Sequence, residues 1–197
     1  SSTKIVNECI KHDCKLIFTS SMAVYGDQPA PFLESMSPDP ADPYGVAKYA
    51  TEMDIKLASS QFGMRYTIVR PHNILGIYQN IWDIYRNVIG IFIKKTLDGE
   101  PMIIYGDGEQ TRAFSDVKYL LPVFESMIND LDGETFNIGA DKEWTINQVA
   151  NIVKDIAEKK GYAASIEYGE ERHEVKHAYC DHAKAKEVAK FNDRTNV

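Results

Sequence analysis

A tyrosine and a lysine stand four residues apart in the segment DPYGVAK, at Tyr44 and Lys48. The preceding Asp42-Pro43 pair is a typical helix start, so the two side chains share one face of the predicted helix. A nearby ammonium stabilises a phenolate, which makes Tyr44 a candidate proton acceptor. The Y-x-x-x-K spacing also arises by chance, and the alternative is an exposed tyrosine beside a solvated lysine.

A second candidate group is the run of hydroxyl residues in TSSMAVYG, which starts at Thr19 directly after the apolar residues Leu16-Ile17-Phe18. Hydroxyl side chains at a strand end either satisfy backbone groups or face a ligand. Ser21 lies where its hydroxyl could oppose Tyr44 and share the proton of a substrate oxygen. For Thr19 and Ser20 the simpler interpretation is that they satisfy the strand end.

The elements that must position these groups alternate between helix and strand in the first third of the chain. The pattern predicts a helix over Thr3–His12, a buried strand over Lys15–Thr19 and a proline-rich loop over Asp27–Pro43. The helix that begins at Asp42-Pro43 should run to Phe62 and stop at Gly63. A strand over Tyr66–Arg70 follows, and Pro71 should break it.

The alternation continues to the end of the chain. We expect helices over Tyr85–Leu97 and Asp181–Lys190. A further helix should run from an Asp116 cap to Asn129, with Pro122 kinking it or delaying its start. Another should run from the Thr145/Gln148 capping box to Lys159. Strands are expected over Met102–Tyr105, Thr135–Ile138 and Ser165–Tyr168. This alternation predicts an α/β fold with a mostly parallel sheet and helices on both faces.

Composition limits the partners. The chain has 197 residues and a net charge of -7, with a pI near 5.3, which argues against nucleic acid or an anionic membrane surface as partner. No apolar window is long enough to span a bilayer. Three cysteines, an odd number without metal spacing, fit reduced thiols in the cytoplasm. The histidines also lack metal spacing, so we expect them to be structural or exposed, and we expect no metal.

The segments TSSMAVYGDQ, DPYGVAK, RPHNILG, GDGEQTRAFSDV and FNIGADKEWTINQVA occur in this order along the chain. Together they resemble the extended short-chain dehydrogenase/reductase family, the nucleotide-sugar epimerases and dehydratases. The resemblance implies the C-terminal part of a Rossmann-type doubly wound sheet with a smaller α/β substrate-binding domain. Ser21 would be the catalytic hydroxyl, Tyr44 the general base and Lys48 its partner. Tyr44, Lys48, Ser20 and Pro71 would contact NAD.

The same resemblance implies a set of residues for a nucleotide-sugar substrate. Asn73 and Arg112 correspond to diphosphate ligands, and Arg172 and Glu174 to the late pair that holds phosphate and ribose, although Arg172 is one residue out of the usual spacing. Ala178 occupies a position where a small residue leaves room for an N-acetyl group. For each of these residues the alternative is an ordinary surface or packing role.

The reaction is indicated by the two residues that follow the catalytic hydroxyl. The dehydratases of this family carry Asp-Glu there, whereas this chain has Met22-Ala23, which cannot transfer protons. What remains is oxidation of the sugar to a keto intermediate and hydride return to its other face, which is the 4-epimerisation of a UDP-sugar, as in polysaccharide biosynthesis. A 4,6-dehydratase that uses other carboxyl groups and a non-catalytic sugar-nucleotide-binding module are the alternatives.

The chain contains no G-x-G-x-x-G or G-x-x-G-x-x-G motif to cradle a pyrophosphate. We therefore expect that the first half of the Rossmann domain is missing or supplied by another chain, unless the protein has lost its activity. Residues 1–72 would complete the NAD domain and residues 73–197 would mainly hold substrate, with about 111–140 returning to the NAD domain. We expect a homodimer through helices 3–12 and 44–62.

Overall fold

A computed structural model describes residues 2–82, 87–172, 175–192, 194 and 195. Within these ranges the helices are α1 (Ser2–Lys11), α2 (Pro43–Phe62), α3 (Val88–Leu97), α4 (Leu121–Asn129), α5 (Ile146–Lys159) and α6 (Ala183–Val188). The strands are β1 (Leu16–Thr19), β2 (Tyr66–Pro71), β3 (Ile74–Leu75), β4 (Met102–Tyr105), β5 (Thr111–Ala113), β6 (Ser115–Asp116), β7 (Glu134–Ile138), β8 (Glu143–Thr145), β9 (Ile166–Gly169) and β10 (His177–Ala178).

The main sheet has three parallel strands in the order β1-β2-β7. Its central strand β2 is buried on both sides, and successive residues serve opposite faces. Ile68 packs against α1 and α2 through Val6 and Ile55, while Val69 packs against α4 through Met127. Helices on both faces of a parallel sheet are the doubly wound arrangement, so the predicted fold class is confirmed.

A second group of elements packs around a separate core of Phe92, Met102, Phe114 and Val149. Strands β4 and β9 pair in parallel, and β5 lies between β10, its parallel partner, and β8, its antiparallel partner. Strands β3 and β6 pair in parallel. In the sequence, β3 follows β2 of the main sheet and β6 follows β5 of this second group. This is the smaller α/β region.

Local signals place the helix ends where the sequence predicts them. The Asp42 side chain accepts a hydrogen bond from the Gly45 amide, and α2 ends at Gly63 in the left-handed conformation. The predicted capping box is present, because Thr145 and Gln148 exchange hydrogen bonds at the start of α5. These bonds satisfy backbone groups that would otherwise be unpaired.

Several boundaries differ from the prediction. Strand β2 includes Pro71, which pairs with Ile138 at its last position, where the missing N–H costs one hydrogen bond at most. Asp116 caps a short 3₁₀ turn over Val117–Tyr119, and α4 begins only at Leu121, with Pro122 in its first turn. Helix α6 is shorter than expected.

The predicted start of the third helix at Tyr85 lies outside the described residues. In the described part, Asn87 caps α3 by accepting a hydrogen bond from the Gly90 amide. None of the helices described in the chain combines the length and the apolar character that a membrane crossing requires.

Candidate active site

An open cleft of about 850 Å³ lies at the carboxyl ends of β1 and β2. Ligands of open α/β sheets bind at this edge. The residues that line the cleft come from four separate segments of the chain, and they are Thr19, Ser20, Ser21, Tyr44, Lys48, Pro71, Asn73, Ile74, Gln79 and Asn87. The structure thus brings together seven of the residues singled out in the sequence.

Ser21 stands at the first turn after β1. Its backbone is extended, and its Oγ caps the 3₁₀ turn Met22–Tyr25 by accepting a hydrogen bond from the Ala23 amide at 3.2 Å. That bond uses a lone pair of the hydroxyl oxygen and leaves its hydrogen able to donate to a ligand. The capping role and a role toward a substrate are therefore compatible in one side chain.

Tyr44 lies in the first turn of α2, and Lys48 lies one turn later on the same face. The phenol ring is 55% exposed, so a ligand in the cleft can reach it. The Lys48 Nζ lies 5.6 Å from the centre of the Tyr44 ring and donates a 2.7 Å hydrogen bond to the Thr19 carbonyl oxygen. Partial burial lowers the pKa of Lys48. The strand end therefore fixes the ammonium beside the phenol.

The Ser20 hydroxyl does not bond a backbone group at the end of β1, contrary to the prediction. The backbone does so instead, because the Ser20 amide donates to the Val69 carbonyl at 2.7 Å. The Ser20 Oγ is buried and has no hydrogen-bond partner among the residues that the structure describes. A buried hydroxyl without a partner is costly, and this one borders the cleft, where a ligand atom could pair with it.

Gly45 allows the segments that carry Ser21 and Tyr44 to approach each other. A Cβ at this position would lie 2.5 Å from the Ala23 carbonyl oxygen, inside the 3₁₀ turn that Ser21 caps. The start of α2 therefore packs directly on that turn because residue 45 has no side chain. This contact sets the position of Tyr44 relative to Ser21.

A buried polar cluster behind the cleft was not predicted from the sequence. Arg70 forms a two-pronged ion pair with Glu52, with distances of 2.9 and 2.6 Å, and donates to the Tyr25 hydroxyl at 2.8 Å. Tyr25 in turn donates to Asn137 Oδ1 at 2.7 Å. These four side chains connect α2, β2, β7 and the turn after β1. A charged residue at the end of the apolar run TIVR was the available sequence signal.

The electrostatics of this cluster follow from burial. Burial raises the pKa of Tyr25 to about 12, although Arg70 opposes the shift. Burial alone would lower the pKa of Arg70, but its hydrogen bonds with Glu52 and Tyr25 raise it overall. The phenol is thus neutral and the guanidinium charged, so the cluster is a fixed support and supplies no proton to the cleft.

Asn73 follows β2 in the left-handed backbone region, with φ of 40°, which asparagine tolerates better than most residues. Its Nδ2 donates to the Ala113 carbonyl at 3.0 Å. This bond holds the side chain of Asn73, which is one of the residues that line the cleft. Gln79 and Asn87 line the same cleft and were not predicted, because no pattern distinguishes them from other surface amides.

The other predicted substrate residues lie away from the lining of this cleft. Arg112 on β5 donates to the Lys176 carbonyl, and Ala178 on β10 is its register partner. The Arg172 guanidinium lies 3.3 Å from the centre of the Tyr105 ring, beside a cavity of about 160 Å³. Both arginines therefore flank the segment that leads into β10. Glu174 lies outside the described residues.

Comparisons with known proteins agree with this arrangement. The sequence profile of the NAD dependent epimerase/dehydratase family matches residues 1–139. A protein of Methanocaldococcus jannaschii named "Putative UDP-glucose 4-epimerase" is 36% identical over 179 residues, which cover 88% of this chain and 56% of that protein. The chain thus spans little more than half the length of this relative.

Solved structures show the same fold. The UDP-glucose 4-epimerase of Thermotoga maritima, crystallised with UDP-glucose, superposes with a TM-score of 0.89 at 32% identity over 99% of this chain and 63% of that one. The UDP-N-acetylglucosamine 4-epimerase of Methanobrevibacter ruminantium gives 0.88 at 32% identity over 98% and 62%. The cleft and the order of the motifs agree with these matches. The chain therefore belongs to the NAD dependent epimerase/dehydratase family.

Proposed function

We propose that this chain forms the catalytic and substrate-binding part of an NAD-dependent UDP-sugar 4-epimerase. The observation that carries the proposal is the convergence of Ser21, Tyr44 and Lys48 on one cleft at the carboxyl edge of the parallel sheet. Relatives named as UDP-glucose and UDP-N-acetylglucosamine 4-epimerases match nearly all of the chain. Their names supply the substrate class.

Tyr44, Ser21 and Lys48 have different roles in the proton transfer. Tyr44 accepts the proton of the sugar hydroxyl as the carbon becomes a ketone, and it returns that proton when the hydroxyl forms again on the other face. Ser21 donates a hydrogen bond to the same oxygen. The Lys48 ammonium stabilises the phenolate form of Tyr44. NAD, when bound, supplies the hydride acceptor and donor.

The residues of the cleft fit one part of that cofactor. Lys48, Tyr44, Pro71 and the unpaired hydroxyl of Ser20 lie together and would face the nicotinamide ribose. The chain offers no Gly-rich loop for the pyrophosphate. We propose that residues 1–72 belong to the cofactor domain. We propose the same for about 111–140, because β7 pairs with β2 in the main sheet, and the rest of 73–197 would mainly hold substrate.

For the substrate, we propose that Asn73, Arg112 and Arg172 bind the diphosphate, that Glu174 binds the ribose and that Ala178 leaves room beside the sugar. We also propose a cytoplasmic homodimer that serves polysaccharide biosynthesis.

The test is the interconversion of UDP-glucose and UDP-galactose, and of the two N-acetyl analogues, by the NAD-loaded protein. Tyr44→Phe should reduce turnover by a factor of about 10²–10⁴ while UDP-sugar binding persists. Tyr49→Phe, on the same helix, is the matched control and should keep full activity. Full activity of Tyr44→Phe would remove that residue from the mechanism, and a 4-keto-6-deoxy product would identify a dehydratase instead.

A further inference from the structure

Two histidines and a cysteine that are far apart in sequence meet in the interior. His72 follows β2, and Cys180 and His182 lie between β10 and α6. All three side chains are buried, and their ligating atoms lie within 4.8 Å of one another. The two Nε2 atoms face each other at 3.0 Å. The cluster stands apart from the proton-transfer residues of the cleft.

The outer nitrogen of each ring fixes its tautomer. His72 Nδ1 lies 3.3 Å from the Ala113 carbonyl oxygen, and His182 Nδ1 lies 3.0 Å from Asp141 Oδ1. Hydrogen bonds from Lys186 and His182 hold the pKa of Asp141 below its usual value despite partial burial. Both partners are therefore acceptors, so both Nδ1 atoms carry hydrogen and both Nε2 atoms present lone pairs.

Two lone pairs that face each other at this distance repel, and a cation between them relieves that repulsion. A proton shared by the two rings would place a positive charge among buried side chains, away from water. A positive charge shared only by the two rings is thus disfavoured at neutral pH, and a third donor, the Cys180 sulfur, lies beside them.

We propose that His72, Cys180 and His182 bind a zinc ion that has a structural role. Two imidazole nitrogens and one sulfur are a donor set that zinc prefers, and histidine ligands of zinc commonly donate their second N–H to a carbonyl or a carboxylate, as both rings do here. Zinc binds cysteine as the thiolate, so the Cys180 sulfur would lose its proton when the metal binds.

The distance between the two rings agrees with such a site. The main chain at Gly139 packs against His72, because a Cβ there would come within 2.0 Å of Nε2. Tetrahedral zinc separates two nitrogen ligands by about 3.3 Å, which requires the rings to part by only a few tenths of an ångström. A water would complete four-coordination, as in other sites with three protein ligands.

Sequence spacing predicts no metal here, because His72 and His182 are separated by 110 positions. The site would join the end of β2, next to Asn73, to the start of α6. Zinc binding would therefore stabilise the wall of the cleft without taking part in the reaction, and the inference does not depend on which sugar the protein binds.

The experiment uses protein purified without a polyhistidine tag, in which Cys9 and Cys14 have been replaced by serine. Cys180 is then the single thiol in the chain. The metal-free protein is titrated with Zn²⁺ against a chromogenic chelator and separately with Co²⁺. We expect about one zinc per chain, a near-ultraviolet thiolate-to-cobalt absorption band, and a higher Tm in the presence of zinc.

Cys180→Ser should abolish the cobalt band and weaken zinc binding at least tenfold, and His182→Gln should weaken zinc binding similarly. His12→Gln, which changes an exposed histidine, is the matched control and should bind zinc normally. Failure of the folded parent protein to bind zinc at micromolar concentration would overturn the proposal, even if the variants do not fold. A proton found on either Nε2 at neutral pH by ¹⁵N NMR of the zinc-treated protein would also overturn it.

Discussion

The Lys48 ammonium touches three parts of the site, because it bonds the carbonyl that ends β1, lies over the Phe18 ring and stands beside the Tyr44 ring. Replacing Lys48 with a neutral side chain of similar length removes the charge and keeps most of the packing. The stem of a lysine packs as a hydrocarbon, so the fold should tolerate a thioether there.

Lys48→Met should lower kcat by a factor of about 10²–10⁴, because the phenolate form of Tyr44 loses its cationic neighbour. The loss is measured from initial rates of epimerisation. Lys56→Met, two turns along the same helix, is the control, and equal losses in the two variants would show that Lys48 has only a structural role.

Local patterns were enough to single out Ser21, Tyr44 and Lys48, which the structure brings to one cleft. Tyr44 and Lys48 are one helical turn apart, and Ser21 directly follows an apolar strand, so each signal lies within a few residues. The Arg70–Glu52 pair and the His72–His182 pair are formed by folding alone. No local spacing marks such residues, and a buried charge in a sequence looks like an exposed one.

The contact between α2 and the turn after β1 can be tested through its glycine. Gly45→Ala would place a methyl group 2.5 Å from the Ala23 carbonyl oxygen, and the main chain must move to accept it. We expect a loss of about 1–3 kcal/mol in the free energy of unfolding and at least a tenfold fall in kcat. Gln61→Ala, at an exposed position on the same helix, should change neither quantity in chemical denaturation and rate measurements.

The buried cluster that anchors α2 predicts a response to alkaline pH. The pKa of Tyr25 is raised to about 12, so between pH 10 and 12 the unfolded chain loses the phenol proton while the folded chain keeps it. The contribution of Tyr25 to the free energy of unfolding is therefore fully present below pH 10 and is lost as the pH rises toward 12.

Tyr25→Phe should be less stable than the parent by about 1–3 kcal/mol at neutral pH, since it leaves Arg70 and Asn137 short of a partner. The difference should shrink between pH 10 and 12 in urea unfolding. Tyr162→Phe, a partly exposed control, should follow the parent at every pH. A constant difference for Tyr25→Phe would contradict the assigned shift.

Among the elements, the long helices and their caps were predictable because their signals are local, as at Asp42-Pro43 and Thr145 with Gln148. The two- and three-residue strands β3, β5, β6, β8 and β10 were missed. Strands this short carry no periodicity, and their pairing depends on partners far away in sequence, as when β5 meets β10.

The molecule as a whole exposes an apolar surface on α1 and α2. Ile5 is 58% exposed and Leu57 57%, and Val46, Met53 and Leu57 follow one another at helical spacing on one side of α2. Apolar patches of this kind mark association surfaces. This surface supports the proposed homodimer.

Leu57→Glu should convert the dimer to a monomer in light scattering coupled to size exclusion, because a buried, unpaired carboxylate at the interface is costly. Ile128→Glu introduces the same charge at an exposed position on α4 and should leave the dimer intact. A Leu57→Glu variant that remains dimeric would place the interface elsewhere.

The position of β1 at the end of the three-stranded sheet has a consequence for amide hydrogen exchange. Within the described residues β1 pairs only with β2, and the amides of Leu16 and Ser20 donate toward β2. The alternation of a strand turns the amides of Ile17 and Thr19 to the opposite side. Deuterium should therefore enter Ile17 and Thr19 quickly and their even-numbered neighbours slowly. A polypeptide that adds a strand to this edge would slow exchange at Ile17 and Thr19 as well.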